Sequence, residues 1–222
     1  MKPHMRHACL LVVLLATTAT VIAADEYTFE PSDAPPSDVP AAIADLLDPQ
    51  GAKVVGPKRD LCEVWLLKDV ARIGDFAPST SVKYPFTPGQ LVGVLKVPRR
   101  AGFSDFRGHE IGAGVYTLRY GQQPMDGNHI GTSDTADFLL AVPVADDADP
   151  APIADLKSLF THSAEASGTV HPAIFPLLPA EDAAEPGLSN DAEHELWILQ
   201  VTAKSGDAAL PLRIVLVGIA KG

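Results

Sequence analysis

Short apolar runs separated by turn-forming residues follow one another from Lys53 to the C-terminus, and this pattern restricts the fold more than any other feature. Within the runs, side chains alternate between apolar and polar or remain apolar, as they do in strands. Gly, Pro, Asp and Ser bound the runs. The pattern predicts seven strands, at residues 53–55, 61–68, 90–97, 114–120, 137–144, 195–203 and 212–219, and a weaker eighth at 173–178.

Two segments show the spacing of an amphipathic helix. Residues 39–47 place Ile43, Leu46 and Leu47 on one side, and residues 153–162 repeat apolar side chains at intervals of three and four. Two short helices cannot cover both faces of a parallel sheet. The sequence therefore predicts a mainly β protein, an antiparallel β-sandwich of seven or eight strands with one or two short helices, whose many connections suit the 20 prolines.

The alternation is clearest at residues 114–120. Here Tyr116 and Leu118 are expected to face the core, while Thr117 and Arg119 are expected to face water. The strand is thus predicted to have one dry face and one wet face.

Other local signals concern the connections. The turn sequence at 204–207 predicts a hairpin between the last two strands. Two pairs of aromatic residues, Tyr84 with Phe86 and Phe103 with Phe106, lie between predicted strands and are expected in exposed loops.

The first 24 residues have the features of a secretory signal peptide: a basic head with Lys2 and Arg6, then an apolar run over 8–16 and small residues. The apolar run is too short to cross a bilayer, so no transmembrane segment is expected. We therefore expect an exported protein, periplasmic or extracellular. The predicted organisation is a signal peptide at 1–24, a disordered leader at 25–38 and a single β-sandwich domain at 39–222.

The net charge limits the possible partners, and the cysteine content limits the possible thiol chemistry. The formal net charge is −11 at pH 7, and loss of residues 1–24 removes two bases and no acid, giving −13. Such a chain repels phosphate backbones, so nucleic acid is excluded as a partner. Cys62 would be the sole cysteine after cleavage, within an apolar run that predicts a buried, unreactive thiol.

Two polar loops between predicted strands, at 102–110 and 126–137, are candidate binding regions, because polar loops on a rigid scaffold often carry function. The second loop partly matches a twelve-residue calcium loop, but Ile130 offers no side-chain oxygen at position 5 and Asp137 replaces the usual glutamate at position 12. The candidate ligand-binding side chains of the two loops are Asp126, Asn128, His129, Arg107 and His109.

Histidine is the commonest protein ligand for transition metals. The chain after residue 24 contains five histidines, none of them in a spaced metal-binding motif. The candidate metal ligands are Asp126, His129 and His171, around one divalent metal ion with a position left for water. No catalytic residue is assigned, because the chain has no Gly-x-Ser-x-Gly element and no phosphate-binding loop before a helix.

At residues 114–120, in the Asp-Gly-Asn-His element at 126–129 and in His171-Pro172, the chain resembles a group of uncharacterised exported bacterial proteins. The resemblance extends over about residues 61–178. It implies export and draws attention to the loop at 126–137, but it implies no activity, because the group has none assigned.

The leading functional hypothesis is an exported β-sandwich that binds a small ligand or an exported partner through the two polar loops. The alternative is a metal-dependent enzyme that uses Asp126, His129 and His171. A third possibility is a structural component of the cell envelope.

Overall fold

The computed structural model describes residues 26–123, 135–180 and 185–220, and these contain ten strands and two helices. The strands are β1 (Thr28–Ser32), β2 (Gly51–Val55), β3 (Asp60–Leu66), β4 (Leu91–Val97), β5 (Gly114–Gln122), β6 (Asp137–Pro143), β7 (Ile174–Leu178), β8 (Gly187–Asp191), β9 (Leu196–Ser205) and β10 (Ala208–Val217). The helices are α1 (Ala41–Ala44) and α2 (Leu156–Ser167). The predicted signal peptide at 1–24 lies outside the described residues.

These strands form one antiparallel sheet in the order β1-β2-β3-β4-β5-β6-β7-β10-β9-β8. β7 pairs with β6 on one side and with β10 on the other, which makes the sheet continuous. The sheet curls until its edge strands β1 and β8 approach each other, giving a nearly closed barrel. The prediction of a mainly β, antiparallel protein is confirmed, but the β-sandwich is wrong, because a sandwich requires two separate sheets packed face to face.

Alternating side chains of the strands fill the interior of the barrel. On β5, Tyr116, Leu118 and Tyr120 point inward, and Leu118 lies opposite Ala141 of β6 while Tyr120 lies opposite Leu139. We call the end of the barrel where β5 begins the upper end, and the end where β5 finishes the lower end.

Aromatic side chains from two long connections close the ends of this interior. At the lower end, Tyr84 and Phe86 stack at 5.8 Å between ring centroids, and Phe86 meets Tyr120 edge-on. At the upper end, Phe103 stacks on Phe175 of β7 at 5.5 Å. The expectation that these aromatic residues and Phe106 are exposed is wrong, because all four are buried. Tyr84, Phe86 and Phe103 fill the open ends of the barrel. Phe106 instead packs on the outer face with Phe138 and Leu140.

The two helices cover parts of the outer face. Ile43 of α1 packs on Trp65 and Val94, and Leu159 of α2 packs on Leu140. Both predicted helices are present with different limits: α1 is shorter than 39–47, and α2 begins and ends later than 153–162. Neither described helix is long and apolar enough to cross a membrane.

The outer face of β5 is buried, contrary to the prediction of a wet face. Thr117 and Arg119 are both fully buried. The Arg119 guanidinium donates from Nε and Nη2 to the two carboxylate oxygens of Asp147, each at 2.7 Å, and also donates to three backbone carbonyls. The connection that follows β6 therefore lies over β5 and is held there by a buried ion pair.

The predictions for the segment 25–38, the C-terminal hairpin and Cys62 can be compared with the structure. The segment 25–38, expected to be a disordered leader, contains β1, which pairs with β2 along its whole length. The C-terminal hairpin is confirmed, since β9 and β10 pair around a turn in which Ser205 lies opposite Ala208. Cys62 is buried as predicted, and its burial raises the pKa of the thiol.

Candidate functional site

Three of the predicted ligand-binding residues, Asp126, Asn128 and His129, lie outside the described residues, so the loop site built on them stays a prediction. The described residues that flank the loop lie at the lower end of the barrel, where the Thr135 hydroxyl donates to the carbonyl of Leu177 at 2.9 Å. His171, the third predicted metal ligand, precedes β7 and therefore lies at the upper end of the barrel.

Asp137, at the last position of the incomplete calcium loop, is a buried hydrogen-bond acceptor. Its carboxylate accepts from the hydroxyl of Tyr120 and, at 2.6 Å, from the backbone N–H of Lys83. Desolvation by burial raises the pKa of Asp137 and is the largest influence on it. These bonds tie the β3–β4 connection to the start of β6, so this carboxylate has a structural role.

The loop at 102–110 is organised by a second buried carboxylate at the upper end. Asp105 accepts from the backbone N–H groups of Arg107 at 3.0 Å and His109 at 2.8 Å, and its own N–H donates to the carbonyl of His109. Asx-type bonds of this kind fix a tight turn. The turn leaves Arg107 and His109 partly exposed at its surface.

The structure brings His109 together with His171, a pairing that the sequence did not indicate. The backbone N–H of Phe106 donates to the carbonyl of Ile174 at 3.0 Å, which attaches the loop to the start of β7. The two imidazole rings are then parallel, with an angle of 5° between planes and 6.2 Å between centroids. We call His109 and His171 the histidine pair. Within the described residues, no cluster of three or more His, Cys, Asp or Glu side chains could hold a metal ion.

A cavity opens at the lower end of the seam between the two edge strands. β8 pairs with β9 only over Leu196–Gln200, so the rest of β9 extends past it. At the upper end the seam is closed by Tyr27 and Trp197, whose ring centroids are 5.3 Å apart. The cavity therefore results from a difference in strand length.

This space, which we call the seam cavity, has a volume of about 330 Å³. Its apolar lining includes Phe29, Ala52, Val64, Leu66 and Val201. Its polar lining consists of Asp48, Gln50, Thr202, Lys68 and Lys204. The cavity thus combines a mostly apolar lining with a few polar residues, two of which are lysines.

A second cavity, of about 310 Å³, lies at the upper end between Tyr27, Leu61 and the turn at 56–59. Lys58 and Arg59 contribute its positive charge. The guanidinium of Arg59 donates to the carbonyl of Arg100, which ties the turn to the β4–β5 connection. The second cavity has fewer apolar lining residues than the seam cavity, which makes it the weaker candidate for a small-molecule site.

Sequence reasoning missed the seam cavity because its lining comes from segments far apart in the chain. β8, which borders the seam, is short and mostly polar, and this pattern is too weak to predict a strand from the sequence. Comparison with family models, with curated proteins and with solved structures finds no match for this chain.

Proposed function

We propose that the protein is an exported binding protein whose seam cavity holds a small anion with an apolar portion. The observation that carries this proposal is the combination of an apolar floor and two lysines in a cavity at the open part of the barrel seam. The signal-peptide pattern at 1–24 supports export.

The size and lining of the seam cavity favour a small ligand with an apolar part. Cavities that bind small molecules are mostly apolar, begin at about 300 Å³ and have a few polar groups that fix orientation. At about 330 Å³ the seam cavity lies at the lower limit. Ala52, Val64 and Leu66 on its floor are already buried by the fold, so a ligand would extend existing apolar contacts.

The charge at the edge favours an anionic group. Acidic residues outnumber basic residues by 28 to 17 in the whole chain, yet the lining has two lysines and one aspartate. Lys68 lines the cavity, and its ammonium group donates to the carbonyl of Asp45 at 2.7 Å, which limits the freedom of the side chain. The backbone of Lys204 is fixed as well, because its carbonyl accepts from Val70 at 2.7 Å. An anion at this edge would meet two cations in a chain that otherwise repels it.

Calorimetric titration with three probes of equal chain length tests the proposal: octanoate, octanol and octyltrimethylammonium. We expect octanoate to bind most tightly, because only it satisfies both the apolar floor and the lysines. Acetate, which lacks the apolar chain, should show no measurable binding. Equal affinity for octanoate and octyltrimethylammonium, or no binding of octanoate, would contradict the proposal.

Substitutions of residues that line the seam cavity test whether octanoate binds there. Val201→Phe fills the cavity with a larger side chain and should weaken octanoate binding by about ten-fold or more, since loss of about 1.4 kcal/mol corresponds to that factor. Lys68→Gln and Lys204→Gln should each weaken it by about two- to five-fold, as expected for exposed charges. Lys157→Gln, on the exposed first turn of α2, is the matched control and should change nothing. An unaltered affinity in Val201→Phe would place the ligand elsewhere.

A further inference from the structure

Two turns at the upper end of the barrel carry a group of basic residues. The β2–β3 turn contains Lys58 and Arg59, and the β4–β5 connection contains Arg99 and Arg100. All four are exposed, and we call them the basic cluster. Residues 57–60 and 98–101 thus hold four basic residues and one acidic residue, in a chain with 17 basic and 28 acidic residues. Positive charge is therefore concentrated here against the composition of the chain.

The charge of the basic cluster is not neutralised within the part of the chain that the structure describes. None of its four side chains forms an ion pair with a described carboxylate. Asp60, the acidic residue of these segments, is bound to Lys53, with 2.9 Å between Nζ and Oδ2. Four neighbouring cations without acidic partners attract anions from solution.

A bond between the two turns holds the basic cluster beside a cavity. The Arg59 guanidinium donates from Nη1 to the carbonyl of Arg100. A guanidinium has five N–H groups, so the remaining four can donate to a ligand. Lys58 and Arg59 line the cavity of about 310 Å³ described above, together with Ala101 and Gly102. We call this space the upper cavity.

The donors at the upper cavity favour a tetrahedral oxyanion. The backbone N–H groups of Lys58 and Gly102 have no acceptor among the described residues, so they can add to the donors of the side chains. Arginine binds phosphate through two parallel hydrogen bonds. Phosphate and sulfate groups offer three terminal oxygens, whereas a carboxylate offers two, and a phosphate monoester also carries a second charge at pH 7.

The remaining lining leaves room for an organic group. The ring of Tyr27 lies against Trp197, with 5.3 Å between centroids, and Leu61 beside it is buried. A water molecule occupies about 30 Å³ in the liquid, so the upper cavity is roughly ten times as large. It therefore accommodates an oxyanion together with a compact organic group.

We propose that the upper cavity binds a small organic phosphate or sulfate ester. Lys58 and Arg59 hold the oxyanion, Arg99 and Arg100 add to the positive potential, and Tyr27 contacts the organic group. Nucleic acid stays excluded, because a long phosphate chain would also meet the acidic remainder of the surface. The upper cavity and the seam cavity lie at opposite ends of the barrel, so either proposal can fail without the other.

Calorimetric titration of the processed protein at low salt, with phenyl phosphate, phenyl sulfate and phenol, tests the site. We expect one binding site for the esters and no measurable binding of phenol. The second pKa of a phosphate monoester is about 6, so lowering the pH from about 8 to about 5 should weaken the binding of phenyl phosphate relative to phenyl sulfate, whose charge is constant. The ester that binds more tightly at about pH 8 identifies the oxyanion. Absence of binding for both esters would overturn the proposal.

Variants of the basic cluster show where the ester binds. Lys58→Gln and Arg59→Gln should each weaken the binding of phenyl phosphate by about two- to five-fold, and the double variant by about ten-fold or more. Arg72→Gln, which changes an exposed arginine outside the basic cluster, is the matched control and should alter nothing. Unchanged affinity in the double variant would overturn the proposal, as would displacement of phenyl phosphate by octanoate.

Arg100→Asn separates binding from stability. Arg100 has a φ of 62°, a left-handed conformation that asparagine adopts more readily than arginine. The variant should therefore bind phenyl phosphate about two- to five-fold more weakly while its melting temperature does not fall. If Arg59→Gln does not fold, as judged by circular dichroism, Lys58→Gln and Arg100→Asn provide the same comparison. Unchanged affinity in both of these variants would overturn the proposal.

Discussion

The buried ion pair between Arg119 and Asp147 provides a quantitative test of how the outer face of β5 is covered. Arg119→Met keeps much of the side-chain volume but removes the charge. It would leave the Asp147 carboxylate buried beside Thr117, its remaining side-chain donor, and would leave the carbonyls of Gly89 and Ala151 without their guanidinium partner. Removing one partner of a buried pair costs about 3–5 kcal/mol, because an uncompensated charge remains.

This magnitude can be measured by urea unfolding followed through tryptophan fluorescence. For a protein of this size, a loss of about 3–5 kcal/mol lowers the melting temperature by roughly 6–20 °C. Arg72→Met, which changes an exposed arginine in the same way, is the control and should alter the free energy of unfolding by less than about 0.5 kcal/mol.

The double variant Arg119→Met with Asp147→Leu separates the charge from the other contacts. Removing both charges avoids the penalty of a lone buried carboxylate, so we expect the double variant to be more stable than Arg119→Met, with a coupling energy of about 2–3 kcal/mol. Full recovery is not expected, because the backbone carbonyls still lose their donor. A coupling energy below about 0.5 kcal/mol, or a loss under about 1 kcal/mol for Arg119→Met, would refute this reasoning.

Two further predictions concern packing and pH. Gly51→Ala should lower the free energy of unfolding by about 1–3 kcal/mol, because the new Cβ would lie 2.5 Å from Nε1 of the fully buried Trp65. Gly74→Ala is the control, since a Cβ at that position would meet no atom within 4 Å. Equal stabilities of the two variants would contradict the packing argument. Because burial raises the pKa of Asp137, its contribution to stability is present at acidic pH and is lost as pH rises through the folded pKa. The stability of the wild type relative to Asp137→Asn should therefore fall as the pH rises above about 4, the ordinary pKa of an aspartate, with the exposed Asp146→Asn as control. Parallel curves in urea unfolding would show that Asp137 does not contribute.

The sequence was sufficient to locate most strands but not their arrangement. All seven predicted strands and the weaker eighth are present. They could be predicted because the alternation of apolar and polar side chains, and the turn residues between strands, are properties of the local sequence. β1 and β8 were missed because edge strands carry polar residues and proline, which blur the pattern. Whether strands form two sheets or one depends on contacts between distant segments, here the pairing of β7 with β10.

The errors at individual residues have the same origin. Arg119 was expected to face water because alternation reports only the two faces of a strand, whereas the segment that covers the second face follows β6. Likewise, the histidine pair joins residues 109 and 171 through a backbone bond between Phe106 and Ile174 that no local pattern predicts. His109 and His171 were both identified as candidates, but each with other partners.

The incomplete closure of the barrel bears on how the chain behaves at high concentration. Unpaired edges of β1 and β8 would let two molecules join strand to strand, the first step toward a fibre. Pro31 in β1 has no N–H to offer a neighbouring chain, and Glu30 beside it adds a charge in a molecule that is strongly negative overall. The open part of the barrel seam is thereby protected against self-association.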